Sequence, residues 1–76
     1  MTAGELEEVL VTALVRKHGG SKRGWRAALG PLRVYGTDTH PHCNWSAAPS
    51  GSTAENAAIE RLLDELRGKY PLVTGE

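Results

Sequence analysis

The chain has 76 residues, nine Lys and Arg against nine Asp and Glu, and one cysteine. That length holds one domain, excludes an intrachain disulfide, and leaves little core with which to offset the ordering entropy of the chain. Help is expected from a metal, a partner or an oligomer. The first residues, MTAGELEEVLVTALVRK, carry acids where a secretory signal carries bases, and no apolar run approaches a membrane span. A cytoplasmic location with no membrane partner is therefore expected.

Charge is distributed unevenly. Residues 1–15 hold Glu5, Glu7 and Glu8 without a base, whereas 16–33 hold Arg16, Lys17, Lys22, Arg23, Arg26 and Arg33 without an acid.

Thr2-Ala-Gly-Glu5 has the spacing of a capping box and predicts a helix that follows directly. Leu6, Val9, Leu10, Ala13 and Leu14 form its apolar stripe, and Gly19-Gly20 ends it. Val11 and Val15 lie on a second flank, which points either to a covering loop or to a homo-oligomer contact.

From Gly24 to Ala48 the apolar residues alternate, which predicts strands. Trp25, Ala27 and Leu29 share one expected face, Leu32 and Val34 another, and Cys43, Trp45 and Ala47 a third, with His42, Asn44 and Ser46 opposite. Gly30-Pro31 is either a tight hairpin or a bulge in one long strand. Gly36 through Pro41 reads as a loop.

Ser52-Thr-Ala-Glu55 repeats the capping-box spacing, so another helix opens near residue 53. Its stripe is Ile59, Leu62, Leu63, Leu66 and Tyr70, with Ala54, Ala57 and Ala58 small enough for close approach to a neighbour. Gly68 and Pro71 end it; Leu72 and Val73 are expected to tuck back, and Thr74 to Glu76 to fray.

The expected fold is α+β, a two-layer sandwich in the order α-β-β-(β)-α, with both helices on one face of a two- or three-stranded antiparallel sheet. This order resembles that of double-stranded RNA-binding domains. The resemblance is one of topology. That family grips phosphates with a basic cluster at the start of its second helix, and Ser52-Thr-Ala-Glu-Asn56 stands here instead.

The run KHGGSKRGWR followed by Arg33 gathers cations around an aromatic on a glycine-rich turn, a composition that draws phosphates and stacks bases. Arg16, Lys17, Lys22, Arg23, Trp25, Arg26 and Arg33 are thus the candidate contacts to nucleic acid or to an acidic protein surface. A structural account of the same residues has Arg16 and Lys17 complementing a helix C-terminus, Lys22 and Arg23 solvating a turn, and Trp25 in the core. The loop TDTHPHCNW offers His40, His42 and Cys43 as metal ligands. In an extended chain the thiol projects away from the two imidazoles, so no metal site is assigned. A Cys–His nucleophile would need convergence and an oxyanion hole, which nothing in the pattern supplies. No nucleotide motif is present and no cofactor is called for. The expectation is a small non-enzymatic binding module, with a homodimeric protein-interaction or structural subunit and a small metal-binding protein using the His40, His42 and Cys43 loop as its competitors.

Overall fold

The computed structural model describes residues 1–75. The described residues are α+β, with three helices and a two-stranded antiparallel ribbon: α1 (Ala3–His18), α2 (Lys22–Leu29), β1 (Arg33–Val34), β2 (Trp45–Ser46) and α3 (Thr53–Lys69). Among the described residues no helix is long and apolar enough to cross a membrane.

Both predicted capping boxes form. Thr2 Oγ1 accepts from the Glu5 N–H at 3.1 Å while Glu5 Oε1 accepts from the Thr2 N–H at 2.9 Å. Ser52 and Glu55 repeat the exchange at 3.2 and 2.8 Å. Each box satisfies donors that the first helical turn leaves without intrahelical partners, so the two long helices start where their sequences say.

The principal departure is residues 24–29, expected as part of a strand and found, together with Lys22 and Arg23 of the expected turn, as a helix. Trp25 and Leu29 stand four apart as well as on one strand face, and Ala28 completes an i, i+3, i+4 triplet that is buried as a unit. Ala27, expected inside with Trp25, is exposed, and Ala28, expected outside, is buried. The helix has its own boundary signals. Ser21 Oγ accepts from the Gly24 N–H at 3.0 Å, and Gly30 at φ 71° caps the far end. Gly30-Pro31 is thus a helix stop, neither hairpin nor bulge. The order becomes α-α-β-β-α, which also departs from the RNA-binding topology.

With 22–29 helical, little sheet remains for helices to cover. Val34 pairs with Trp45 and Arg33 with Ser46, and the alternation holds locally: Leu32 and Val34 are half-buried, Arg33 and Tyr35 exposed. The core lies between the helices. It is built from Leu6, Leu10, Val11 and Leu14 of α1, Trp25, Ala28 and Leu29 of α2, and Ile59, Leu62, Leu63 and Leu66 of α3, with Trp45 from the ribbon and Val73 from the tail. Val11 is fully buried and Val15 half-buried against this cluster. The second flank of α1 therefore serves the chain's own interior, and Val11 presents nothing to another subunit.

One polar residue sits inside. Asn44, expected to face outward with His42 and Ser46, is 2% exposed. Its side-chain amide donates to the carbonyls of Tyr35 (3.1 Å) and Val73 (2.7 Å), and its Oδ1 accepts from the Val73 N–H at 2.8 Å. Its backbone N–H donates to Pro71 O at 3.0 Å and its carbonyl accepts from Tyr35 N–H at 2.7 Å. One side chain thereby ties the ribbon to the C-terminal tail. Thr74, expected to fray, pairs in parallel with Thr2, with Ala3 N–H donating to Thr74 O at 2.9 Å. Leu72 stays exposed while Val73 is buried. The Glu76 end of the expected fray lies outside the described residues.

Replacing Asn44 by Leu strands the buried Val73 N–H and carbonyl and removes the partner of the part-buried Tyr35 carbonyl. An unsatisfied buried group costs about 1–3 kcal/mol, so Asn44→Leu is expected to lower unfolding free energy by about 3 kcal/mol in urea titration. A loss below about 0.5 kcal/mol, the scale of an ordinary surface change, contradicts this role for Asn44.

Candidate binding face at the junction of the three helices

The cationic run leaves the end of α1, turns through Gly19 and Gly20, and continues into α2. Gly20 adopts φ 85°, in the left-handed region that side chains avoid, and this lets the chain reverse so that α2 packs back on α1. Trp25 fixes the turn from inside. Its indole N–H donates to Gly19 O at 2.8 Å, its ring lies 5.7 Å from that of His18, and it is 8% exposed. Trp25 is a core residue with a satisfied polar edge, so its π-face is not offered as an open stacking platform.

The packing of α2 on α1 sorts the cations. Glu8 accepts from Lys22 Nζ at 3.0 Å and also from Arg26, whose Nε donates to Glu7 at 3.1 Å. The acidic first half of α1 and the cationic start of α2, separate blocks in the sequence, face each other in space. The hydrogen bond from Lys22, then the charges of Lys22 and Arg26, holds the Glu8 carboxyl below its ordinary range. Glu5 is lowered as well, chiefly by the Thr2 backbone N–H and then by the Thr2 side chain.

Arg16, Lys17, Arg23 and Arg33 are exposed and form no ion pair with the described residues. Arg16 and Lys17 end α1, Arg23 lies in the first turn of α2, and Arg33 stands apart on the ribbon. A further cation comes from α3. Arg61 and Lys17 both line a groove of about 610 Å³ whose apolar wall is Leu14, Trp25, Ala58 and Leu62. Arg61 was not among the candidates of the cationic run. The signal for it was present, since Ala54, Ala57, Ala58, Arg61, Leu62 and Glu65 recur at i, i+3, i+4, i+7, i+8 and i+11, a second face of α3 beside the core stripe.

The histidine loop is organised differently. His40 stacks on Tyr35 with ring centroids 4.3 Å apart, and its Nδ1 hydrogen-bonds Thr39 Oγ1 at 2.9 Å. His42 is exposed, and the half-buried Cys43 directs its thiol to Trp45 O at 3.5 Å. Among the described residues no three His, Cys, Asp or Glu side chains converge as metal ligands. The loop before α3 has its donors engaged: Ser50 N–H reaches Ala28 O at 2.8 Å and Gly51 N–H reaches Asn56 Oδ1 at 2.9 Å.

The lowered Glu8 sets a pH dependence. A carboxyl depressed in the fold adds stability above its unfolded value, near pH 4.3, and that stability is lost as pH falls through the folded value. Glu8→Gln is expected to flatten the acid limb of the stability curve below about pH 4.5 while leaving its slope between about pH 6 and 8 unchanged, as read by urea titration across pH. An acid limb identical to that of the parent contradicts the Lys22 and Arg26 contacts.

No family model, curated protein or solved structure matches the chain, so the reading of this face rests on its own residues.

Proposed function

We propose that this chain is a small non-enzymatic binding module that docks an acidic protein surface through Arg16, Lys17 and Arg23, with Arg61 beside Lys17. The supporting observation is the sorting of the cations: Lys22 and Arg26 are engaged by Glu7 and Glu8, while Arg16, Lys17 and Arg23 form no ion pair with the described residues. Guanidinium and ammonium groups in this setting attract carboxylates and steer encounter, at ranges set by ionic strength.

Nucleic acid is the weaker partner for the same geometry. Trp25 is enclosed and offers no open face for a base, and Glu7 and Glu8 put two carboxylates on the flank of the cationic corner. The chain as a whole carries no net positive charge to supply a nonspecific attraction. A reducing, cytoplasmic setting suits the single free thiol.

Fluorescence anisotropy with two labelled probes, an oligoglutamate of about 20 residues and a DNA duplex of about 20 base pairs, separates the partners. The oligoglutamate is expected to bind at about 50 mM salt and to weaken by about tenfold at 200 mM. The triple charge reversal Arg16→Glu, Lys17→Glu, Arg23→Glu is expected to abolish that binding with little change in melting, because all three sites are exposed. Binding of duplex but not of oligoglutamate replaces this reading with the nucleic-acid one, and binding of neither at low salt overturns both.

A further inference from the structure

We propose that residues 70–74 form a releasable strap, and that its seat on Asn44, Trp45 and the entry to α1 accepts the same segment from a second copy of the chain. This is independent of the acidic-partner reading, since none of these residues belongs to the cationic corner.

The segment is held as a bound peptide is. Tyr70 N–H still closes α3 on Leu66 O at 2.7 Å, and Pro71, which has no N–H to continue the ladder, lets the backbone leave the helix. From there the hydrogen bonds go to distant parts of the chain. The Trp45 indole N–H donates to Tyr70 O at 2.7 Å and the Asn44 N–H to Pro71 O at 3.0 Å. The Asn44 side chain takes both backbone groups of Val73, its amide donating to the carbonyl and its Oδ1 accepting from the N–H. Thr74 N–H donates to Met1 O at 3.0 Å, and Thr74 O accepts from Ala3 N–H at 2.9 Å. Side chains alternate as in a strand added to an edge: Leu72 exposed, Val73 buried, Thr74 exposed.

Little else retains the strap. Val73 is its single buried side chain between 71 and 74, whereas α1, α2 and α3 bury their own apolar residues in the same cluster. A segment with one apolar anchor and a row of peripheral hydrogen bonds opens more readily than the core that it borders.

The seat defines its occupant. It presents donors at Trp45 Nε1, Asn44 N and Asn44 Nδ2 and an acceptor at Asn44 Oδ1, arranged for an extended chain with an apolar side chain where Val73 lies. A second copy carries that segment by necessity. Exchange of straps across the Tyr70–Pro71 hinge restores the hydrogen bonds and the burial of Val73 in both copies. The short tether keeps each chain's own strap at an effective concentration on the order of millimolar, so exchange begins where copies are crowded to that level. The strap thus gates self-association by local concentration.

Two measurements on the isotope-labelled 76-residue chain test this. Hydrogen exchange is followed at the Trp45 indole N–H and the backbone N–H groups of Asn44 and Val73, with the amides of Leu10 and Leu63 as the core reference. The three strap protons are expected to share one protection factor within about threefold, and to exchange at least about tenfold faster than the reference pair. Protection equal to that of the core, or three unrelated values, overturns the strap as a unit. An unlabelled peptide copying residues 70–75 is then added at about 10 mM, beside a control peptide carrying Val73→Asp. The copy is expected to give the labelled Val73 and Thr74 a second set of signals at random-coil positions, in at least about a third of the molecules, and the control none. No second set, or the same set with the control, overturns the exchange between copies.

Discussion

The packing of α2 against α1 determines everything that this surface presents. Two kinds of contact hold it, and they differ in what they do. Burial of Leu29 contributes about 2 kcal/mol and Trp25 a similar amount, so the apolar face of α2 supplies most of the attachment. The contacts of Glu7 and Glu8 with Lys22 and Arg26 are solvent-exposed, and exposed pairs add little stability. Their effect is selective. By engaging Lys22 and Arg26 they leave Arg16, Lys17, Arg23 and Arg33 without an ion pair among the described residues, and a run that looks uniform in one dimension becomes two populations in three.

A chain this short has a narrow margin, and without a disulfide it must close its ends by other means. Asn44 does this with an interior hydrogen-bond set joining the ribbon to the tail, and the pairing of Thr2 with Thr74 brings the two ends of the described chain side by side. A fully satisfied buried amide also specifies geometry, because any other register of the tail leaves its donors and acceptors unmatched. Arg67 adds to the same corner from outside, its guanidinium 5.7 Å from the Trp45 ring centre. The ribbon is only two residues per strand, and it is held by these side-chain contacts more than by its ladder.

The long helices were readable because each carries redundant signals: a capping box, a sustained 3.6-residue period and a glycine or proline stop. Residues 22–29 carry a period too brief to decide. In eight residues Trp25, Ala27 and Leu29 fit a strand as well as Trp25, Ala28 and Leu29 fit a helix, and the choice falls to tertiary burial. Ser21 and Gly30 marked the boundaries of the helix, but a serine and a glycine also punctuate loops. Asn44 was hidden for another reason. Its burial depends on partners at Tyr35 and Val73, and alternation within one strand carries no information about a tail 29 residues away. The cationic residues were legible as a cluster, while their pairing was not, since Glu8 and Lys22 stand 14 positions apart and meet only through the turn at Gly19-Gly20. Arg61 escaped because it belongs to a different segment from the run it joins.

The functional reading inherits this geometry directly. Were 24–29 a strand, Arg26 would point opposite Trp25 on a sheet, Lys22 and Arg23 would sit in the turn before it, and neither the groove nor the division of charges would exist. The carbon-13 Cα chemical shifts of Lys22 to Leu29 in solution test that claim most directly. Downfield displacement from random-coil values across the whole segment is the result this account predicts, and upfield displacement, the mark of extended backbone, would contradict it.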